Sequence, residues 1–144
     1  MTGPGREERA LAQLVRVARQ KLEEQQTHLS DLEAAKASAE TSLEWLAQAV
    51  RAEEAAAASR PQSLIDFRNY LEGANGKRLA LEATRDRLAA EIIAVRDQVT
   101  EAFAETKKLE HLIEINRRAA ARVNGRTEAA RVDAAIVSRH RRHA

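Results

Sequence analysis

An all-α fold, two long helices in an antiparallel coiled-coil hairpin, is what the sequence predicts, and three observations predict it. Ala, Glu, Lys, Leu and Arg supply 85 of the 144 residues, a bias of chains built from long helices. Apolar residues recur in alternating steps of three and four along nearly the whole chain, the period of helices that supercoil around a partner. Aromatics make up only 3%, too few for an ordinary compact core, and five Gly and two Pro leave little to break a helix.

The first helix is expected over about residues 6–58. Residues 6–59 hold neither Gly nor Pro. The stripe runs Leu11, Val15, Ala18, Leu22, Gln25, Leu29, Leu32, Lys36, Ala39, Leu43, Leu46, Val50, Glu53 and Ala57, and only Gln25, Lys36 and Glu53 in it are polar. A helix of about 50 residues far exceeds the usual three or four turns, so it needs another helix along its length.

A turn and tip are expected over about 59–76. Pro61 lacks a backbone donor and pushes Arg60 out of helical geometry. Ser59 or Ser63 can cap a helix end. Gly73 and the Asn75-Gly76 pair are further weak points, since Asn-Gly is a strong turn signal. Two readings follow. Either one helix runs through this stretch, or 62–72 forms a short tip helix before the long one; a distorted tip is the favoured expectation.

The second long helix is expected over about 77–140. Its stripe begins at Leu64 and Phe67 and continues through Leu71, Ala74, Arg78, Leu81, Arg85, Leu88, Ile92, Val95, Val99, Ala102, Thr106, Leu109, Ile113, Asn116 and Ala120. It ends with Val123, Thr127, Ala130, Ala134 and Val137. With the apex near Pro61, Leu11 lies opposite roughly residue 110, and the chain beyond about 115 overhangs. The large apolar run 88–99 predicts a firm middle. The Ala-rich seam beyond it removes less surface from water, at about 25 cal/mol per Å², and predicts looser ends.

Charge is uneven. Residues 1–60 hold 8 basic and 10 acidic groups, as do residues 61–115, whereas 116–144 hold 8 Arg against Glu128 and Asp133 alone. A basic tail suits an acidic protein surface, nucleic acid or anionic lipid. A plain solvated tail is the simplest reading. Bidentate pairing of Arg with partner carboxylates suits a protein dock. Nucleic acid is the less favoured partner, because basic-zipper proteins place their basic region before the zipper rather than after it.

Catalysis is not expected, since a two-helix hairpin offers no water-excluding pocket. The chain has no Cys, which excludes disulfides, thiolate chemistry and Cys-based zinc sites. His28, His111, His140 and His143 contain no i, i+4 pair, so neither metal nor cofactor is expected. Residues 73–78 (Gly-Ala-Asn-Gly-Lys-Arg) imitate a phosphate loop only superficially: the glycine spacing is wrong, no strand precedes them, and Arg78 stands where a magnesium-binding hydroxyl belongs. No apolar run approaches the roughly 20 residues of a membrane helix, so a soluble cytosolic protein is expected. Leu64, Phe67, Tyr70 and Leu71 form a candidate docking patch near the apex, because interface anchors are enriched in such side chains. Trp45, off the seam, is a second candidate.

These residues resemble the FliJ family, the small coiled-coil component of the flagellar type III export apparatus, with the injectisome YscO proteins as more distant relatives. The tip segment 63–71 (Ser-Leu-Ile-Asp-Phe-Arg-Asn-Tyr-Leu) is similar to the family's aromatic stretch. Residues 103–112 are similar to its Lys-Glu-Leu block, and 128–139, from Glu128 through Asp133 to Arg139, to its C-terminal signature. Ala129 and Ala134 stand where the family has Gln and a second acid. The resemblance implies a stalk-like factor that places its joined helix ends inside the hexameric export ATPase FliI. It implies a link to the export gate FlhA and an escort role for substrate chaperones, with FliH as a further partner. The expected place is the cytoplasmic side of the inner membrane, peripheral to the export apparatus, in flagellum biogenesis, motility and chemotaxis. Under this resemblance Arg117, Arg118, Arg122, Arg126, Arg131 and Asp133 would face the ATPase, and the aromatic tip would face the gate. The rival readings are an injectisome export factor, a scaffold coiled coil, and a nucleic-acid-binding coiled coil.

Overall fold

The computed structural model describes residues 4–60 and 62–143 and contains two helices, α1 (Pro4–Ala57) and α2 (Ser63–His143). They pack against each other as an antiparallel helical hairpin. The length of each follows from the uninterrupted three-four stripe, which gives every turn an apolar face to bury. The hairpin divides into two compact units, one formed by 23–100 and the other by the remainder of the two helices.

The unit formed by 23–100 contains the turn. The amide of Ala58 donates to the Glu54 carbonyl at 3.1 Å, that of Arg60 to Ala57 at 3.2 Å, and that of Ser63 to Arg60 at 3.0 Å. The Ser59 hydroxyl donates to the Ala56 carbonyl at 2.9 Å, satisfying one of the acceptors that a helix C-terminus leaves open. Pro61, the expected breaker, lies outside the described residues. The core of this unit is Leu32, Leu88, Ile92 and Val95, with Leu29 and Val99 packed against it. It coincides with the apolar run expected to form the firm middle. Arg96 Nη2 donates to Glu33 Oε1 at 3.3 Å and ties the two helices along one flank.

The expectation of a distorted tip over 59–76 is corrected here. α2 starts at Ser63 and runs through Gly73, Asn75 and Gly76, with no positive φ in either glycine. Glycine and Asn-Gly permit a turn but do not force one. The stripe on either side, Leu71, Ala74 and Leu81, keeps its helical phase, and its burial against α1 outweighs the roughly 1 kcal/mol that each helical glycine costs.

The other unit joins the first part of α1 to the last part of α2. Among its described residues Val15 and Thr106 are the buried ones, the latter only 2% exposed. The Thr106 hydroxyl donates to the Ala102 carbonyl at 2.8 Å, so the buried oxygen is satisfied by its own helix. Leu11 shares a groove with Ile113 and Asn116, slightly further along α2 than counting from Pro61 gives. A seam residue of a coiled coil packs between residues of the facing helix rather than onto one, which accounts for the offset. From residue 121 to 143 every position of α2 is exposed.

Candidate functional site

The seam positions follow the sequence closely. Along α1 every predicted stripe residue except Glu53 is buried or half-buried, and every other described side chain is exposed. Along α2 the stripe holds from Phe67 to Ala120, with Arg78 turned to solvent. What the seam leaves outside defines three candidate surfaces.

The first is the tip. Phe67 is half-buried, and Tyr70 is exposed. Together with Ala57, Arg60, Ser63 and Asp66 they line an open cleft of about 500 Å³. Leu64 does not join them. It is 58% exposed, because Ser63 takes the inward position at the start of α2. Leu71 lines a different groove of about 430 Å³, more apolar, with Leu43, Leu46, Val50 and Ala74. The patch expected from Leu64, Phe67, Tyr70 and Leu71 is therefore a cleft and a groove, with Leu64 and the neighbouring Ile65 on the outer surface. Trp45 is 72% exposed on the back of α1, away from both.

The second is the basic end of α2. Arg117, Arg118, Arg122, Arg126, Arg131 and Asp133 are all exposed. At 100° per residue they do not share one face: Arg118, Arg122, Arg126 and Asp133 cluster on one side, and Arg117 and Arg131 on another. Arg118 Nε donates to Glu114 Oε1 at 3.2 Å. Arg117 lines the groove of Leu11 and Ile113, about 230 Å³ in volume, along with Glu8 and Arg9. The positions Val123, Thr127, Ala130, Ala134 and Val137 continue the seam spacing, and all five are exposed.

The third surface was not anticipated. Leu14 and Val17 of α1, and Leu112 and Ile115 of α2, are exposed. Heptad geometry puts all four on the flank opposite the one where Arg19 Nη2 donates to Glu110 Oε1 at 3.1 Å. The signal in the sequence was an i, i+3 apolar pair beside the seam in each helix. Glu110 is held below the ordinary carboxylate range by that hydrogen bond from Arg19, with Lys107 adding to it and partial burial opposing. Lys107 also lies 5.4 Å over the Phe103 ring, covering one face of an aromatic beside the seam.

Among the described residues no group of three or more His, Asp or Glu side chains is arranged to hold a metal ion, and no helix is long and apolar enough to cross a membrane. Compared with protein-family models, curated proteins and solved structures, the chain matches none. What fold and surface define is a class, a coiled-coil-like helical hairpin with exposed apolar and basic surfaces.

Proposed function

We propose that this chain is a stalk-like factor of a type III protein export apparatus, flagellar by its resemblance to FliJ. In this role the basic end of α2 engages a hexameric export ATPase and promotes its turnover, and the tip contacts the export gate. The observation that carries the reading is the segment 121–143, a helix exposed throughout, rich in Arg and bearing an uncovered continuation of the seam. Arg guanidinium groups pair bidentately with carboxylates, and an uncovered apolar stripe gains by meeting another helix. Leu14, Val17, Leu112 and Ile115 add apolar area on the unit that holds this segment. The cleft of Phe67 and Tyr70 supports the gate contact, since such clefts accept interface anchors.

The test is stimulation of a purified export ATPase. Reversing Arg117, Arg118 and Arg122 to Glu should weaken stimulation and co-purification while leaving helicity unchanged. Undiminished stimulation by the triple variant removes the assignment of that end. For the gate, Phe67→Ala with Tyr70→Ala should reduce binding to the gate's cytoplasmic part, and unaltered binding counts against the tip.

A further inference from the structure

Every seventh residue of α2 from Leu64 belongs to one row of the seam: Leu64, Leu71, Arg78, Arg85, Ile92 and Val99. Two successive members of this otherwise apolar row are arginine. A hairpin that only has to close on itself calls for an aliphatic side chain at both, and the row returns to that pattern at Ile92. Arg78 is exposed and Arg85 half-buried. A long cationic stem lies along apolar surface and keeps its guanidinium in water, so neither residue fills the seam. Leu43, Leu46 and Val50 of α1 stay half-buried in consequence, and with Leu71 and Ala74 they floor a groove of about 430 Å³.

Charge around this groove is unbalanced. Arg51, Arg78 and Arg85 line it against a single carboxylate, Glu82. Arg85 Nε donates to Asp86 Oδ1 at 3.2 Å. Among the described residues Arg51 and Arg78 form no ion pair. The α1 side of the lining holds no acid and adds a base, so the two seam arginines do not serve as one half of a polar pair that fixes register. The groove's volume falls in the range of small-ligand sites, roughly 300–1,000 Å³. Its lining follows α2 from Leu71 to Arg85, about 21 Å by helical rise. The floor ends where the core of Leu32, Leu88 and Ile92 begins, which limits its length. A ligand with one alkyl chain and one anionic end satisfies the apolar floor and the unpaired cations together.

We propose that this groove binds a medium-chain fatty-acid anion, its alkyl chain on the floor of Leu43, Leu46, Val50 and Leu71 and its carboxylate held by the guanidinium groups of Arg51 and Arg78. The planar fork of arginine matches a carboxylate bidentately. The proposal is independent of the export reading, since it uses neither the basic end of α2 nor the cleft of Phe67 and Tyr70.

Methyl NMR on the full chain, titrated with dodecanoate below the concentration at which it forms micelles, tests it. Saturable shifts should appear at Leu43, Leu46, Val50 and Leu71, with a Kd of about 1 mM or tighter. Dodecyltrimethylammonium, the same chain with a cationic head, should bind at least about tenfold more weakly. Arg51→Glu with Arg78→Glu changes two exposed side chains, so circular dichroism should show unchanged helix content while dodecanoate binding weakens by about tenfold or more. Arg78→Leu restores an aliphatic residue to the row and fills the groove. It should raise the thermal midpoint and abolish binding, a combination that unfolding cannot produce. Four outcomes overturn the proposal: no saturable shift up to about 1 mM; equal affinity for the cationic amphiphile; binding indifferent to both variants; or shifts centred on exposed apolar residues elsewhere, such as Leu79 and Ile93. Binding to phosphatidylglycerol vesicles without binding to dodecanoate also overturns it, and assigns the arginines to a membrane surface instead.

Discussion

Among the described residues, Glu110 is the carboxylate in which geometry and titration meet. Its hydrogen bond from Arg19 crosses between helices, and its pKa is lowered in the folded state. A depressed carboxylate stabilises the fold at pH values above its unfolded pKa, about 4.3. That stabilisation disappears as pH falls through the lower folded value. Glu110→Gln should therefore melt below wild type at neutral pH, with the gap closing as pH drops under about 4. Thermal melts of both proteins over that range measure it, and a gap that persists in acid contradicts the assignment. Thr106 presents the opposite case. Its hydroxyl is buried at a seam position and satisfied only by its own helix, so it contributes nothing across the interface. Thr106→Val exchanges the hydroxyl for a methyl facing α1, and denaturant unfolding should show a gain of about 1 kcal/mol.

At the scale of the element, what the sequence discloses is the stripe, because burial in a two-helix packing depends on little else. The phase read from Leu11 to Ala57 is the phase that the structure buries. It fails where a rule beyond periodicity takes over. Leu64 has the right spacing but lies where α2 has only just begun, and Ser63 turns inward instead. From Val123 onward the spacing persists, yet none of the described residues packs over it, and the stripe is exposed. Gly73 and Gly76 do not turn the chain, because local turn propensity is weaker than a continuous seam. The candidate sites were less legible. Docking depends on what stays uncovered, as at Leu14, Val17 and Leu79, and periodicity reports the covered face. These differences are measurable. Ile92→Ala, within the core, should cost about 2–5 kcal/mol, near the low end because the thin hairpin can relax around it. Val137→Ala, on the uncovered part of the same stripe, should stay within about 0.5 kcal/mol of wild type. Gly73→Ala should stabilise by about 0.5–1 kcal/mol, since its backbone is helical and an added methyl meets nothing within 4 Å.

Across the whole molecule, stability should be graded rather than uniform, and native-state hydrogen exchange on the full chain reads the gradient. Amides of 88–95, whose side chains build the core, open only when the seam opens, so their protection should approach the global stability. Protection around Val15 and Thr106 should be lower, as fewer large side chains are buried there. Residues 121–143 bury nothing, and a lone helix of that length is marginal in water. Their amides should exchange orders of magnitude faster than those of the core. The same measurement reads the functional proposal, because a helix that gains a partner stops fraying. Adding an export ATPase should slow exchange across 121–143 and leave 88–95 unchanged. Slowing confined to the cleft of Phe67 and Tyr70 would exchange the two ends in the proposed assembly, placing the turn rather than the basic segment against the ATPase.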